Sequence, residues 1–239
     1  MDEPKKLSPL GNDQHEVERV AKAIYQVQVQ SALRSVAEIE FDLDEMKRVI
    51  DVAIAESDRA ASILLFSYAE DMMVEGIKRN LKGDLKGGFK SLLAPNGLLA
   101  TAHNRTTLLA ALRWISTETY EALNVLRSIR NRFAHHVACD SFDDKVISGM
   151  VTSLPAFEKP ITEQTGEKFV GMRQVYLARS LLTVYRVMHE VAVLPHAMAN
   201  HVDPRDVGGP YEDRPASVHE LGLAAADCLL KLVPGNRAG

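Results

Sequence analysis

The stretch Leu126-Arg127-Ser128-Ile129-Arg130-Asn131-Arg132-Phe133-Ala134-His135-His136 decides how the chain is read. On a helical wheel at about 100° per residue, Leu123, Leu126, Ile129, Phe133 and Val137 fall within an arc of roughly 120°. Asn124, Arg127, Asn131 and His135 gather within roughly 80° on another side. One apolar and one polar stripe at that period predict an amphipathic helix, running over residues 117–137. Ser116 or Thr117 can cap it, and Glu118 and Glu121 stand in its first turn, where the helix dipole favours an anion. Arg130 breaks the pattern, because it lies inside the apolar arc. A guanidinium keeps its proton near neutral pH, so Arg130 either snorkels to water from the edge of the stripe or meets a partner.

The segment over residues 57–81 carries the complementary anomaly. Ile63, Phe66, Met73, Val74, Ile77 and Leu81 form one arc, with Glu70 inside it and Asp71 and Glu75 pointing elsewhere. A carboxylate on one core stripe and a guanidinium on another predict a partly buried Glu70–Arg130 pair within one protomer. The alternative is that Glu70 sits in water at the edge of its stripe.

Worked outward, the chain reads as almost entirely helical. A helix is expected over residues 16–40. Asp42 or Asp44 caps the next, which runs toward residue 56. Ser57-Asp58 is either a second cap or part of a helix continuing to residue 81. Residues 82–97, with Gly83, Gly87, Gly88, Pro95 and Gly97, read as a loop with room for one short helical turn. Helix returns over residues 98–115 and, weakly, over 141–154. Residues 155–166 read as loop, and a long helix over 168–194 is closed by Pro195. A linker over 200–215 precedes a last helix over 217–232. β-Alternation is confined to residues 26–30. The expected fold is an all-α helix bundle built from residues 42–81, 98–115, 117–137 and 168–194. Residues 1–13 form a flexible arm, 14–200 the bundle domain, and 201–239 a linker and C-terminal helix.

Composition narrows the classes further. The 239 residues are 46% hydrophobic and 25% charged, so a chain of this length builds a core with no disulfide or metal staple. The apolar runs fall far short of the roughly 18 residues that span a bilayer. Residues 1–6 precede no apolar signal segment. Cys139 and Cys228 lack C-x-x-C spacing, and with no leader the expected compartment is the cytoplasm. Histidines 189, 196, 201 and 219 are dispersed, so neither metal nor cofactor is expected. A net charge of −4 argues against nucleic-acid binding through the bulk field, and no helix-turn-helix pattern is present. The basic run of Lys78, Arg79, Lys82, Lys86 and Lys90 reads as a solvated loop, with phosphate contact as its alternative.

Arg130-Asn131-Arg132-Phe133-Ala134-His135 fits the R-N-x-x-x-H signature of the HEPN superfamily of helical domains. The wider chain resembles the MltR (mannitol operon repressor) family. The blocks that carry the resemblance are Asp58-Arg59-Ala60-Ala61-Ser62-Ile63-Leu64-Leu65 with Glu70-Asp71, Leu92-Leu93-Ala94-Pro95-Asn96-Gly97-Leu98-Leu99, Arg105, the Ile129 to His135 stretch, and Ser141-Phe142-Asp143-Asp144. They lie within about residues 40–150. An extra N-terminal helix, roughly 90 C-terminal residues and the His103-Asn104 pair before Arg105 depart from the family pattern.

The resemblance implies two functions. MltR-like proteins are regarded as repressors of a sugar-alcohol operon that lack a recognisable DNA-binding motif, which implies action through a protein partner. Many HEPN proteins are metal-independent RNases, in which the motif Arg and His act on the scissile phosphate, often across a two-fold dimer. Under that alternative Arg130, Asn131 and His135 are catalytic, with Glu70, Arg105 and Arg127 supporting, and RNA is the ligand. Arg130 and His135 stand about 140° apart on one helix, so a shared site requires two helices juxtaposed or a distorted helix end. A homodimer with the 117–137 helices near its axis is the expected assembly. Equally, Asn131 and His135 face the same way and form a helix-end cap, where the dipole favours a cationic His. A third reading makes the motif a packing device only.

Overall fold

The computed structural model describes residues 14–81, 88–208 and 214–233. The expected arm over 1–13, the glycines at 83 and 87, the middle of the 200–215 linker and the tail beyond 233 lie outside the described residues. Among the described residues there are helices and no strand, as the all-α reading expected. In chain order they are α1 (Gln14–Ala37), α2 (Leu43–Ala55), α3 (Asp58–Asn80), α4 (Gly88–Leu93), α5 (Ala102–Ala111), α6 (Thr117–His135), α7 (Lys145–Ser153), α8 (Lys159–Thr165), α9 (Met172–Ala199), α10 (Pro204–Gly208) and α11 (Ala216–Leu230).

Side-chain caps set the helix starts. The Asp42 carboxylate accepts from the Glu45 N–H, the Ser57 hydroxyl from the Ala60 N–H, and Ser116 from the Thr119 N–H. Glu56 is extended between α2 and α3, so Ser57 opens a separate helix. Helix α3 packs against α2, α5, α6 and α9, and its buried face is wider than expected. Ala61, Ser62, Leu65, Tyr68 and Ala69 are buried, whereas Ile63 is exposed. The centre of that face lies about 100° from the stripe of large side chains, which leaves Glu70 at its margin.

Helices α3 and α9 meet at Gly76. A Cβ there would stand 2.8 Å from Val191 Cβ, so the approach requires glycine. One turn on, the Asn80 amide donates to the carbonyls of Gly76 and Val191, both at 2.9 Å. The second bond explains a correction. Pro195 was expected to close the long helix at residue 194, but α9 continues to Ala199. Pro195 has no N–H for the Val191 carbonyl four residues earlier, and Asn80 supplies the missing donor. At its other end α9 begins at Met172 rather than 168, after Gly171 at φ +88°.

The main core joins α2, α3, α5, α6, α7, α9 and α11. Within it Phe142 stacks on Tyr176, with ring centroids 4.1 Å apart, and meets Phe133 edge-on at 5.2 Å. A second cluster gathers Ala32 and Val36 of α1, Val193 and Ala197 of α9, Val202, Val207 of α10 and Val218 of α11. The C-terminal helix therefore belongs to both cores.

Other expectations need correcting. Helix was expected over 98–115; α5 starts at Ala102, because the Thr101 hydroxyl accepts from the Asn104 N–H, and Arg113 lies at φ +55° just past its end. Val137, expected on the core stripe of α6, is 89% exposed, because the helix ends at His135 and His136 is already extended. Residues 159–165, expected as loop, form α8. Pro160 falls in its first turn, where a missing N–H costs no helical bond, and Gly166 at φ +75° ends it. Part of the expected linker is helical as α10.

Substitution at the α3–α9 crossing should be costly. Asn80→Ala leaves the Val191 carbonyl without a donor and should destabilise by about 1–3 kcal/mol. Gly76→Ala should cost a similar amount, about 1–3 kcal/mol, by overpacking against Val191. Urea denaturation checks both, and midpoints matching the native chain would refute the assignment.

Candidate functional site

The structure brings Glu70 of α3 together with Arg105 of α5 and Arg130 of α6. Arg105 Nη1 donates to Glu70 Oε1 at 3.1 Å, and Arg130 Nη2 donates to Glu70 Oε2 at 3.3 Å. The expected Glu70–Arg130 pair is therefore present, and Glu70 holds a second guanidinium as well. The three side chains are 18% (Glu70), 15% (Arg105) and 30% (Arg130) exposed. Arg130 also donates to Asn131 Oδ1 at 3.0 Å and lies over the Phe66 ring, 5.2 Å from its centroid. Within these three side chains one carboxylate meets two guanidiniums, and the neighbouring Asp71 carboxylate lies close enough to Arg105 to interact with it as well.

Arg105 does more than neutralise Glu70. Its Nε donates to the Leu99 carbonyl and its Nη2 to the Ala100 carbonyl, both at 2.9 Å. The neighbouring Asn104 amide donates to the Leu98 carbonyl at 2.7 Å. Gly97 is required here, since a Cβ would stand 2.2–2.6 Å from the backbone of Ser91 and Leu92. Three successive carbonyls of the loop before α5 are thus fixed by α5 side chains. Leu98 itself stands 71% exposed on that fixed loop. His103, the other residue of the departing pair, is exposed.

The remaining motif residues divide. Asn131 accepts from Arg130, whereas His135 is exposed at the last residue of α6. Apart from the exposed His135, the polar stripe of α6 is half-buried and laced internally: Arg127 donates to Asn124 Oδ1, and Asn124 donates to the Tyr120 carbonyl. Arg127 does not join the Glu70 cluster; it bonds to Asn124 instead.

Both ends of α6 are clamped by charges that sequence reasoning missed. At the N-terminus, Glu190 of α9 accepts from the Ser116 N–H at 2.8 Å, the Ser116 hydroxyl at 2.9 Å and the Thr119 hydroxyl at 3.0 Å. Arg186 pairs with Glu190 at 3.0 Å and lies over the Phe157 ring. At the C-terminus, Arg59 donates to the carbonyls of His136, Val137 and Cys139. An anion at the start and a cation at the end both suit the helix dipole. The signal for Glu190 was available, as a lone carboxylate inside the apolar run from Val187 to Leu194.

Asp58 and Arg59, in the first block of the resemblance, are likewise engaged in holding backbone. Asp58 accepts from the Phe142 N–H at 2.7 Å and pairs with Arg173, which itself donates to the carbonyls of Ala53, Ile54 and Glu56. Of the basic run, Lys78 pairs with Glu75, Arg79 lies over Phe41 and Lys90 is exposed. Lys82 and Lys86 lie outside the described residues. Among the described residues, no three His, Cys, Asp or Glu side chains gather as a metal site requires, and no helix is long and apolar enough to cross a membrane. Cys139 and Cys228 are buried and unbridged. Burial, with the Arg214 and Arg186 cations nearby, pushes His189 down to about 4.

No family model matches the chain, and no curated protein matches it in sequence. Among solved structures it is similar to the MtlR–HPr complex from Escherichia coli, at 20% identity and a TM-score of 0.44, over 62% of this chain and 98% of that one.

Two outcomes are expected. Glu70→Ala strands two arginines and should cost about 2 kcal/mol, whereas Arg130→Ala leaves Glu70 with Arg105 and should cost about 1 kcal/mol; the reverse order in denaturant melts would break the shared-carboxylate account. The second concerns pH. The folded His189 titrates near 4, against 6.5 for a free imidazole, so the unfolded chain takes up the proton first. Stability is full above pH 6.5 and falls as pH drops toward 4, by at most about 3 kcal/mol from this group. His189→Gln should flatten that limb of the stability–pH curve, and an unchanged slope would remove His189 from it.

Proposed function

We propose that the chain is a regulatory module of the MltR-like kind, working through a protein partner without turnover. The observation that carries this reading is the loop before α5. Leu98 is held out into solvent while the carbonyls of residues 98, 99 and 100 are pinned by Asn104 and Arg105. A large apolar side chain presented on a loop whose carbonyls are pinned suits binding, because little loop entropy is lost on contact. Glu70 serves that loop by fixing Arg105. Arg130 and Asn131 support the same reading, since both already bond within the protein.

A second reading, a metal-independent RNase, is favoured by one feature: the Arg130 guanidinium shares its carboxylate with Arg105, with His135 exposed on the same helix. In it His135 takes the proton of a 2′-hydroxyl and Arg130 holds the developing phosphorane charge. The 140° between them, roughly, requires a second α6 to complete the site.

Incubation of the purified chain with single-stranded RNA in EDTA separates the readings. Intact RNA supports the first; cleavage that His135→Ala abolishes would install the second. The loop is tested by titrating HPr, the protein in the E. coli complex, against the native chain and Leu98→Asp. Binding weakened at least about tenfold at unchanged melting temperature supports the loop as the docking point. Equal binding by both chains places the contact elsewhere.

A further inference from the structure

Helix α1 divides into two halves. Its C-terminal half is anchored: Ala32 and Val36 are buried against α9, α10 and α11, Val29 and Leu33 pack beside them, and the Tyr25 hydroxyl donates to Asp206 Oδ2 at 2.5 Å and accepts from the Asp203 N–H at 3.0 Å. Residues 15–27, by contrast, are exposed, Tyr25 among them despite its anchoring hydrogen bonds. Exposed large apolar residues recur along that half at Val17, Val20, Ile24 and Val27. On a helical wheel these four fall within about 80°, centred roughly 150° from the anchored face. Among the described residues, the anchoring therefore leaves this stripe uncovered.

We infer that the Val17/Val20/Ile24/Val27 stripe is the seam of an antiparallel helix pair with a second copy of this chain. The spacing of three, four and three residues is the a/d spacing of a coiled coil. It also reads the same in both directions. Reversing the helix places Val17 level with Val27 and Val20 level with Ile24, so the stripe is complementary to itself under a two-fold axis. That is the property an isologous interface needs and a contact with an unrelated partner does not.

The flanks fit the same arrangement. Beside the seam stand Ala21 and Gln28 on one side, and Ala23 and Gln30 on the other. Two copies therefore bring alanine against alanine near the axis, where small side chains permit close approach. Gln30 of each copy comes beside Glu16 of the other. No like charges oppose each other across the pair, and Arg19 and Lys22 lie on the outer side. The contact is about 15 Å long, so it belongs among small interfaces, below roughly 1,200 Å², and the dimer is reversible.

Sedimentation equilibrium on the full chain tests this. A monomer–dimer equilibrium is expected, shifted at least about tenfold toward monomer by Ile24→Glu, with no change in the thermal melt of the dilute, monomeric chain because the stripe lies outside both cores. Arg127→Glu, on the polar stripe of α6, should leave the equilibrium unchanged. Orientation is read by cysteine cross-linking, which the buried native Cys139 and Cys228 do not confuse. Ala21→Cys should form a disulfide-linked dimer on oxidation. Val17→Cys should not, since each Val17 faces Val27 of the other copy. A monomer at about 100 µM, above the range expected of even a weak specific dimer, overturns the proposal. So does a dimer indifferent to Ile24→Glu. Cross-linking through Val17→Cys in place of Ala21→Cys would make the pair parallel and remove the two-fold seam.

Discussion

The absence of a side chain at residue 76 governs how the helices assemble. Helix α3 is the element against which α2, α5, α6 and α9 all pack, and it reaches α9 closely where Gly76 meets Val191. That contact puts Asn80 within reach of the Val191 carbonyl, which Pro195 has deprived of its own donor. Because the carbonyl is satisfied, α9 carries on past the proline, and Ala197 of its last turn joins Val193, just before the proline, in the second core. Helices α1, α10 and α11 have that surface to pack on. A glycine on one helix and a proline on another, about 120 residues apart in sequence, thus act as one device.

The second theme is the use of arginine as a cap for carbonyls left over at helix ends. Arg59 serves the end of α6, Arg173 the end of α2, and Arg179 the end of α7, where it also forms a bidentate pair with Glu158. Arg105 serves the loop before α5. Each is half-buried, and each needs a carboxylate or several carbonyls to offset the loss of water. A guanidinium, with five donors in a plane, can meet both demands at once, which an ammonium cannot. One of these arginines, Arg105, both holds a loop and neutralises the acid beside the motif.

Much of this was legible in the sequence, for definite reasons. The caps at Asp42, Ser57 and Ser116 act locally, so residue type and spacing revealed them. The Glu70–Arg130 pair showed because two charges stood inside apolar arcs. What escaped depended on distant partners. Nothing near Pro195 announces that Asn80 will supply its missing bond. The wheel for α3 weighted large side chains, whereas the true face is set by Ala61, Ala69 and Gly76, whose smallness admits neighbours. Val137 was placed by extending a period past the point where Arg59 draws the chain out of the helix. The roles of Asp58 and Arg59 were masked because their partners lie about 80 residues away.

The motif itself shows how one pattern of residues permits different chemistry in different settings. For an arginine to stabilise a phosphorane, its guanidinium must turn toward the substrate as charge develops there. In this chain the half-buried Arg130 is held between the Glu70 carboxylate, the Asn131 amide oxygen and the Phe66 ring. Turning it outward would break the ion pair and leave Glu70 dependent on Arg105 alone. Arg105 is not spare, because it is also bonded to the carbonyls of Leu99 and Ala100. Any anion that drew Arg130 away would therefore load the tie that positions Leu98. The cluster links the motif arginine to the exposed loop through one shared carboxylate.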